Sequence, residues 1–339
     1  MPDLEEFAQQ EDTKAALDRA LRALAKAKQR NEDLVAAVYQ AAKDATSSLH
    51  FEPVSVSPNL INRAKPGKAE TAVVLLSDWQ LSKVTPSYST KVCEQRIEKL
   101  AEKVIALTDI QRADHPVKEC RVYLLGDLIE GELIFPGQAH LIDASLYAQV
   151  LSDGPRILGG LLRSLAGSFE TVKVVGVIGN HGSLGGRARR DYHPESNADA
   201  MMYEVTRLAL AGEKRITWAP NSTPGERHWY ATDTIGDKTF FLFHGDQIRG
   251  GFAGFPWYAF GRKLMGWRNL YGFEYAVSGH FHTPVKGYYT GGITHWGNGT
   301  TESDNTYAAE NLAAGGHPSQ QLLFVHPKHG VSAEYEVML

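Results

Sequence analysis

Three apolar runs that end in the same kind of residue constrain this chain more than any other feature in it. "TAVVLLSD" (71–78), "CRVYLLGD" (120–127) and "VKVVGVIGN" (172–180) are aliphatic and β-branched throughout and stop at Asp78, Asp127 and Asn180. Near-continuous apolar runs of this length read as strands buried on both faces, which parallel sheets covered by helices provide. The segments between them carry helical spacing. Ile97, Leu100, Val104 and Leu107 mark one face of a helix, residues 141–166 read as helix kinked or split at Gly154-Pro155, and another helix runs from Asn197 to Ala211. In such folds the carboxyl ends of parallel strands face one way and ligands collect there, so polar side chains far apart in sequence can share a site.

Further strands are expected over 214–218, 228–234 and 238–243, then in "EYAVSGHFH", "VKGYYTGGITHWGN", "QQLLFVHP" and "SAEYEVML". His244, His280 and His282 again fall at predicted strand ends. The balance of elements predicts an α/β sandwich of mixed sheets packed together, with helices outside.

Residues 1–50 form a predicted helical arm with a heptad-like series at Leu17, Leu21, Leu24, Lys28, Asn31, Val35, Val38 and Ala42. It reads either as a coiled-coil arm that makes homo-oligomers, with Asn31 fixing register, or as an amphipathic helix lying on its own domain. Residues 51–69 read as a Pro- and Ser-rich linker, and 70–339 as the domain that carries the strand ends. A formal charge of -4 gives no global footprint for nucleic acid, so such binding would need a local basic patch. Two cysteines without CxxC spacing and an acidic, polar N-terminus predict a reduced, cytoplasmic protein. No apolar run approaches the roughly 20 residues of a membrane-spanning helix.

Asp78, Asp127, Asn180, His181, His244, His280 and His282 would then face one place. Oxygen and nitrogen donors without cysteine suit manganese, iron, zinc or magnesium. More donors than one coordination sphere needs, with one carboxylate able to bridge, point to two divalent ions about 3.5 to 4 Å apart, which activate water for in-line displacement at phosphorus. Phosphate-ester hydrolysis is the reaction this predicts.

The ordered set of Asp78 to Gln80, "GDLIE", "GNH", "HGD" and "GHFH" resembles the calcineurin-like metallophosphoesterase superfamily, whose pattern is DxH, GDxxD/E, GNHE/D, a later His and GHxH. The match spans about residues 70 to 300. The resemblance implies a four-layer sandwich of two mixed β-sheets flanked by helices. It also implies two divalent ions, manganese before zinc, iron or magnesium: one on Asp78, Gln80, Asp127 and His282, the other on Asp127, Asn180, His244 and His280, with Asp127 bridging. His181 would protonate the leaving oxygen or steady the phosphoryl group, and Glu130 would orient a ligand. There are two departures. Gln80 stands where the pattern has histidine and is a poorer donor. Gly182 stands where an acid usually follows GNH and orients the histidine, a task for which Asp246 is a candidate.

Across "ELIFPGQAHLIDASLY", "GNHGSLGGRARRDY" and "NGTTESDNTYAAE" the chain is similar to phage and prophage metallophosphoesterases, and it resembles DNA-repair exonucleases, although those carry His where this chain has Glu130. If phage-encoded, it would work in the host cytoplasm. The resemblance implies a phosphodiesterase, foremost a nuclease acting on DNA or other nucleic acid. The alternatives are a small-molecule phosphoesterase, such as one for cyclic nucleotides, and a catalytically weak nucleic-acid-associated assembly protein. Candidate substrate contacts are His140, His228, and Arg187 and Arg190 in the basic run after GNH. The aromatic and basic stretch 251–273 reads either as a stacking wall for nucleotides or as the packed underside of a lid.

Overall fold

The computed structural model describes residues 69–185, 196–219, 229–249, 255–305 and 316–339, with isolated positions before residue 69. The chain divides into two compact units, Met1–Ser48 and Leu49–Leu339. In the first, Arg22, Lys26, Ala36, Gln40, Lys43 and Asp44 are helical, and Gln40 Nε2 donates to Asp44 Oδ1 at 3.0 Å. The heptad positions and nearly all of the expected linker lie outside the described residues.

The second unit contains the sandwich expected from the sequence. One sheet has the order β11-β10-β1-β2-β3-β4: β1 (Glu70–Leu76), β2 (Val117–Leu124), β3 (Thr171–Gly176) and β4 (Ile216–Trp218) run parallel, and β10 (Ser319–His326) and β11 (Gly330–Met338) close one edge antiparallel. The other has the order β5-β6-β7-β9-β8. Here β6 (Lys238–Phe243), β7 (Tyr275–Ser278) and β9 (Ile293–Gly297) are parallel, and β5 (Tyr230–Ile235) and β8 (Val285–Tyr289) are antiparallel edges.

Period-two alternation assigns each strand's two faces. Val73, Leu75, Tyr123, Val175, Phe240, Leu242, Val277 and Leu323 meet between the sheets. The intervening Phe241 and Phe243 turn outward to a second core with Phe260 and Leu264. Burying an aromatic side chain of this kind contributes about 1.5–3 kcal/mol. Three helices, α1 (Thr90–Gln111), α2 (Gly154–Ser168) and α3 (Ala198–Ala209), pack side by side against the first sheet. α4 (Trp257–Tyr271) covers the second. The layers are therefore helix, sheet, sheet, helix.

The helix expected from residue 141 begins at Leu146, and at Gly154-Pro155 it stays helical, passing from a π-helical turn, Gln149–Asp153, into α2. A Cβ at Gly154 would stand 2.4 Å from Gln149 O, so the close turn requires glycine. Asn197 caps α3, its side chain accepting from Asp199 N at 2.8 Å. Within the aromatic stretch, Trp257–Tyr271 form a helix whose packed underside carries Phe260 and Leu264. No described helix is long and apolar enough to cross a membrane.

Candidate metal centre

The chain leaves its strands in an unusual conformation at the motif residues. Asp78 (φ 52), Gln80 (φ 49), Asp127 (φ 55), His280 (φ 72) and His282 (φ 54) are all left-handed, five of the seven described non-glycine residues with positive φ. Such conformations cost of order 1–3 kcal/mol each and persist only where the surroundings impose them. Here the surroundings are specific. Asp78 N donates to Gly126 O and Gln80 N to Asp127 O, each at 3.1 Å, which zips the first two strand-end loops together. Thr300 Oγ1 donates to Asp78 O at 2.6 Å and Thr301 Oγ1 to Trp79 O at 3.1 Å, so the "NGTTES" turn holds the first loop from the other side. Asn298 Nδ2 donates to Ser77 Oγ at 3.0 Å beneath it. Glycine is needed for close approach: a Cβ at Gly179 would lie 2.1 Å from Asp127 Oδ1, and one at Gly279 2.5 Å from Asp78 Oδ2.

These loops bring together donors from five strand ends. His244 Nε2 lies 3.0 Å from Asp127 Oδ2, 3.2 Å from Asn180 Oδ1 and 3.2 Å from His280 Nδ1. Ligating atoms of Asp127, His244 and His280 all fall within 4.8 Å of one another, a group that could hold a metal ion. His244 Nδ1 is 2.8 Å from Leu125 O, to which it donates, leaving the Nε2 lone pair for the cluster. Beside this group, Asp78 Oδ1 is 3.4 Å from His282 Nε2, and Asp78 accepts from His280 N at 2.9 Å. His282 Nδ1 faces Glu302 Oε2 at 3.4 Å, and Lys83 Nζ lies 2.6 Å from Glu302 Oε1. Gln80 is fully buried, and among the described residues neither atom of its side-chain amide has a hydrogen-bond partner.

The protonation states follow from this crowding. Burial would raise the Asp127 carboxyl, but His244 and His181 outweigh it and hold it far below the usual carboxylate range. Burial would lower His244, yet Asp127 pushes it up to about 10; Asp78 does the same for His282, also to about 10. Burial and the charge on His244 push His280 down to about 4. Without a cation, then, protons on His244 and His282 balance the carboxylates.

His181 takes a different position. Its backbone N donates to Asp127 Oδ1 at 2.7 Å, and its Nδ1 sits 3.0 Å from Glu130 O and 3.3 Å from Glu130 Oε2. The side chain is 18% exposed. Burial would lower this imidazole, but Asp127 and Glu130 hold it up at about 9. Glu130, not Asp246, is the acid against the His181 ring. Asp246 Oδ1 instead accepts from Gln247 Nε2, and its charge acts on His244 and His280. The departure at Gly182 also has a steric reason: a Cβ there would lie 2.6 Å from Asn197 Oδ1 and 2.9 Å from Asp199 N, so the start of α3 fills the space an acid would need.

His140 is exposed, and no hydrogen bond or ion pair among the described residues joins it to the cluster. Arg187, Arg190 and His228 lie outside the described residues. Two buried acids at the site carry no role in the sequence reading. Asp199, on α3, accepts from Asp127 N and Gly179 N at 2.9 Å and from Leu128 N at 3.1 Å. Burial and the charge on Asp127 push its carboxyl up to about 6. Glu302 binds the far nitrogen of His282; burial would raise it, but His282 and Lys83 hold it at about 2. The acid two residues after a capping Asn marks a helix start in sequence, and nothing local shows that Asp199 turns inward.

No family model and no curated protein matches the chain. Among solved structures it is similar to Vps29 from Entamoeba histolytica, with 13% identity over 79% of this chain and 99% of that one and a TM-score of 0.35. It is also similar to an archaeal phosphodiesterase described as novel, with 10% identity over 79% and 99% and a TM-score of 0.36. A hypothetical protein from Pyrococcus horikoshii OT3 aligns with 12% identity over 79% and 88% and a TM-score of 0.40. Similarities this distant transfer neither activity nor site residues.

Proposed function

We propose that the chain is a phosphoesterase dependent on divalent metal ions, a phosphodiesterase whose foremost substrate class is nucleic acid. The observation that carries this is the convergence of Asp127, Asn180, His244 and His280 on one point, beside Asp78, His282 and the unpaired amide of Gln80. The donor set fits a divalent cation. A buried amide without partners is costly unless something completes it, and two imidazole nitrogens aimed at each other at 3.2 Å repel unless a cation or a proton stands between them. Oxygen and nitrogen donors without thiolate suit manganese, iron, zinc or magnesium, and manganese is the ion proposed.

Asp127, Asn180, His244 and His280 would hold one ion, and Asp78, Gln80 and His282 a second, with Asp127 shared. Ions held there supply Lewis acidity toward a phosphoryl oxygen and lower the pKa of water. The chain's own residues supply position and a proton. His181 donates Nδ1–H to Glu130, which leaves Nε2 as the ring atom that can give its proton to the ester oxygen leaving phosphorus. Glu302 and Asp199 hold His282 and the Asp127 loop in place. The test is hydrolysis of bis(p-nitrophenyl) phosphate by manganese-loaded protein. His181→Ala should lower turnover by roughly 10²–10⁴-fold while leaving metal content unchanged; no hydrolysis by wild type with any divalent ion overturns the proposal.

One observation favours a second reading. The Gln80 amide is neutral and is the weakest donor of the set, so a protein that loads only the Asp127 group and turns over nothing would be a nucleic-acid-associated scaffold.

A further inference from the structure

The outer face of α4 is unusual for a surface helix. Its sequence, WYAFGRKLMGWRNLY, contains Arg262, Lys263 and Arg268 and no carboxylate. Phe260 and Leu264 point into the core, while Trp257 is 48% exposed, Tyr258 79% and Leu270 73%; Tyr288 on the neighbouring β8 is 73% exposed. Among the described residues Arg262 and Lys263 form no ion pair with an acid. Arg262 lies over the Tyr258 ring at 6.0 Å and Lys263 over Trp267 at 5.4 Å, while Lys286, 5.4 Å from the centre of Tyr288, is paired with Glu334 at 2.7 Å.

The buried side of the same helix packs against the metal centre. Phe281 stands between His280 and His282, and its ring is 5.2 Å from Phe255 and 5.5 Å from Phe260 of α4. Phe255 is in turn 4.8 Å from Trp257. The start of α4 therefore packs against the loop that carries two candidate ligands.

Exposed aromatic rings beside Arg262 and Lys263, which lack acidic partners among the described residues, match what single-stranded nucleic acid requires: rings on which bases stack and charges that meet the phosphates. A lipid-surface helix inserts a face rich in Trp, Phe and Leu, and here Phe260 and Leu264 are buried in the core, which leaves only Trp257, Met265 and Leu270 as exposed side chains of that kind on the helix. We propose that the outer face of α4, the helix whose start packs against the His280–His282 loop, binds single-stranded nucleic acid together with Tyr288. The inference deepens the phosphoesterase reading and rests on it for what happens to the bound strand.

The test is fluorescence anisotropy of a labelled single-stranded DNA titrated with the full-length protein in chelator, so that binding is measured without cleavage. Tyr258→Ala combined with Arg262→Ala should weaken binding by about tenfold or more, through loss of a stacked base and a phosphate contact. Lys99→Ala on α1 should leave binding unchanged, and thermal unfolding should show the fold intact. Arg262→Glu, at a solvent-facing position, repeats the test should the double variant unfold. Equal affinity of wild type and variants overturns the proposal, and so does binding to anionic phospholipid vesicles with none to DNA. Failure of wild type to hydrolyse bis(p-nitrophenyl) phosphate would instead remove the phosphoesterase reading and leave the DNA-binding result standing.

Discussion

One oxygen of Asp199, Oδ2, accepts from the backbone N–H of both Asp127 and Gly179, at 2.9 Å each. Oδ1 accepts from Leu128 N at 3.1 Å. A single buried carboxylate on α3 thus ties the loop that presents the proposed bridging ligand to the loop that presents Asn180 and His181.

Asp199→Asn should therefore do more than loosen a helix start. An amide has only one acceptor oxygen, and its NH₂ would face N–H groups that need an acceptor. The expected loss of stability is about 2–4 kcal/mol, read by chemical denaturation. Weaker metal binding in the fraction that stays folded should accompany it. Unchanged stability and metal affinity would return Asp199 to an ordinary capping role.

Gln80→His tests the weakest donor. Histidine, unlike glutamine, is enriched in the left-handed conformation this position adopts, so the substitution suits the backbone and supplies an imidazole. Calorimetric titration should show the second ion bound more tightly, by about tenfold or roughly 1.4 kcal/mol. Unchanged affinity would mean that the amide does not face an ion.

The strand ends were legible because each apolar run stops at a polar residue, and parallel strands turn their carboxyl ends one way. Asp78, Asp127, Asn180, His244, His280 and His282 all lie at such ends, and the structure gathers them. Asp199 and Glu302 were not legible as site residues, because an acid after a helix cap and an acid in a Thr-rich turn are ordinary surface patterns; only tertiary packing turns them inward. The aromatic stretch was ambiguous for a related reason. α4 has apolar residues on both its core-facing and its solvent-facing sides, so no single hydrophobic stripe announces a helix.

Glu302→Gln probes the acid behind His282. Removing the charge takes away the partner that fixes His282 Nδ1 and leaves Lys83 without its counter-charge. Losing a partner of this kind lowers metal affinity by about 10–100-fold. Titration of chelated protein with manganese should show that loss for one ion only, the one on Asp78 and His282. Equal weakening of both would contradict the assignment of Glu302 to one side of the centre.

Metal binding should be proton-linked. His244 and His282 are held up at about 10 in the metal-free protein, so both carry protons at neutral pH, and a cation can displace them only as neutral imidazoles. Affinity should rise as pH increases from mildly acidic to mildly alkaline, and calorimetry in two buffers of different ionisation enthalpy should show proton release. The sign for the metal-free fold is opposite. A histidine raised from 6.5 to about 10 on folding contributes stability that is fully present below 6.5 and lost as pH rises through about 10. Metal-free protein should therefore weaken on going alkaline while metal-loaded protein does not. Proton uptake on metal binding would contradict this account.

The most direct measurement is a metal count by inductively coupled plasma mass spectrometry on chelated protein reloaded with manganese and freed of excess ion. Two ions per chain are expected in wild type, and one when His244→Ala removes the nitrogen at the centre of the Asp127 group. Wild-type protein that retains no manganese, iron or zinc would contradict the central claim that these strand ends form a metal centre.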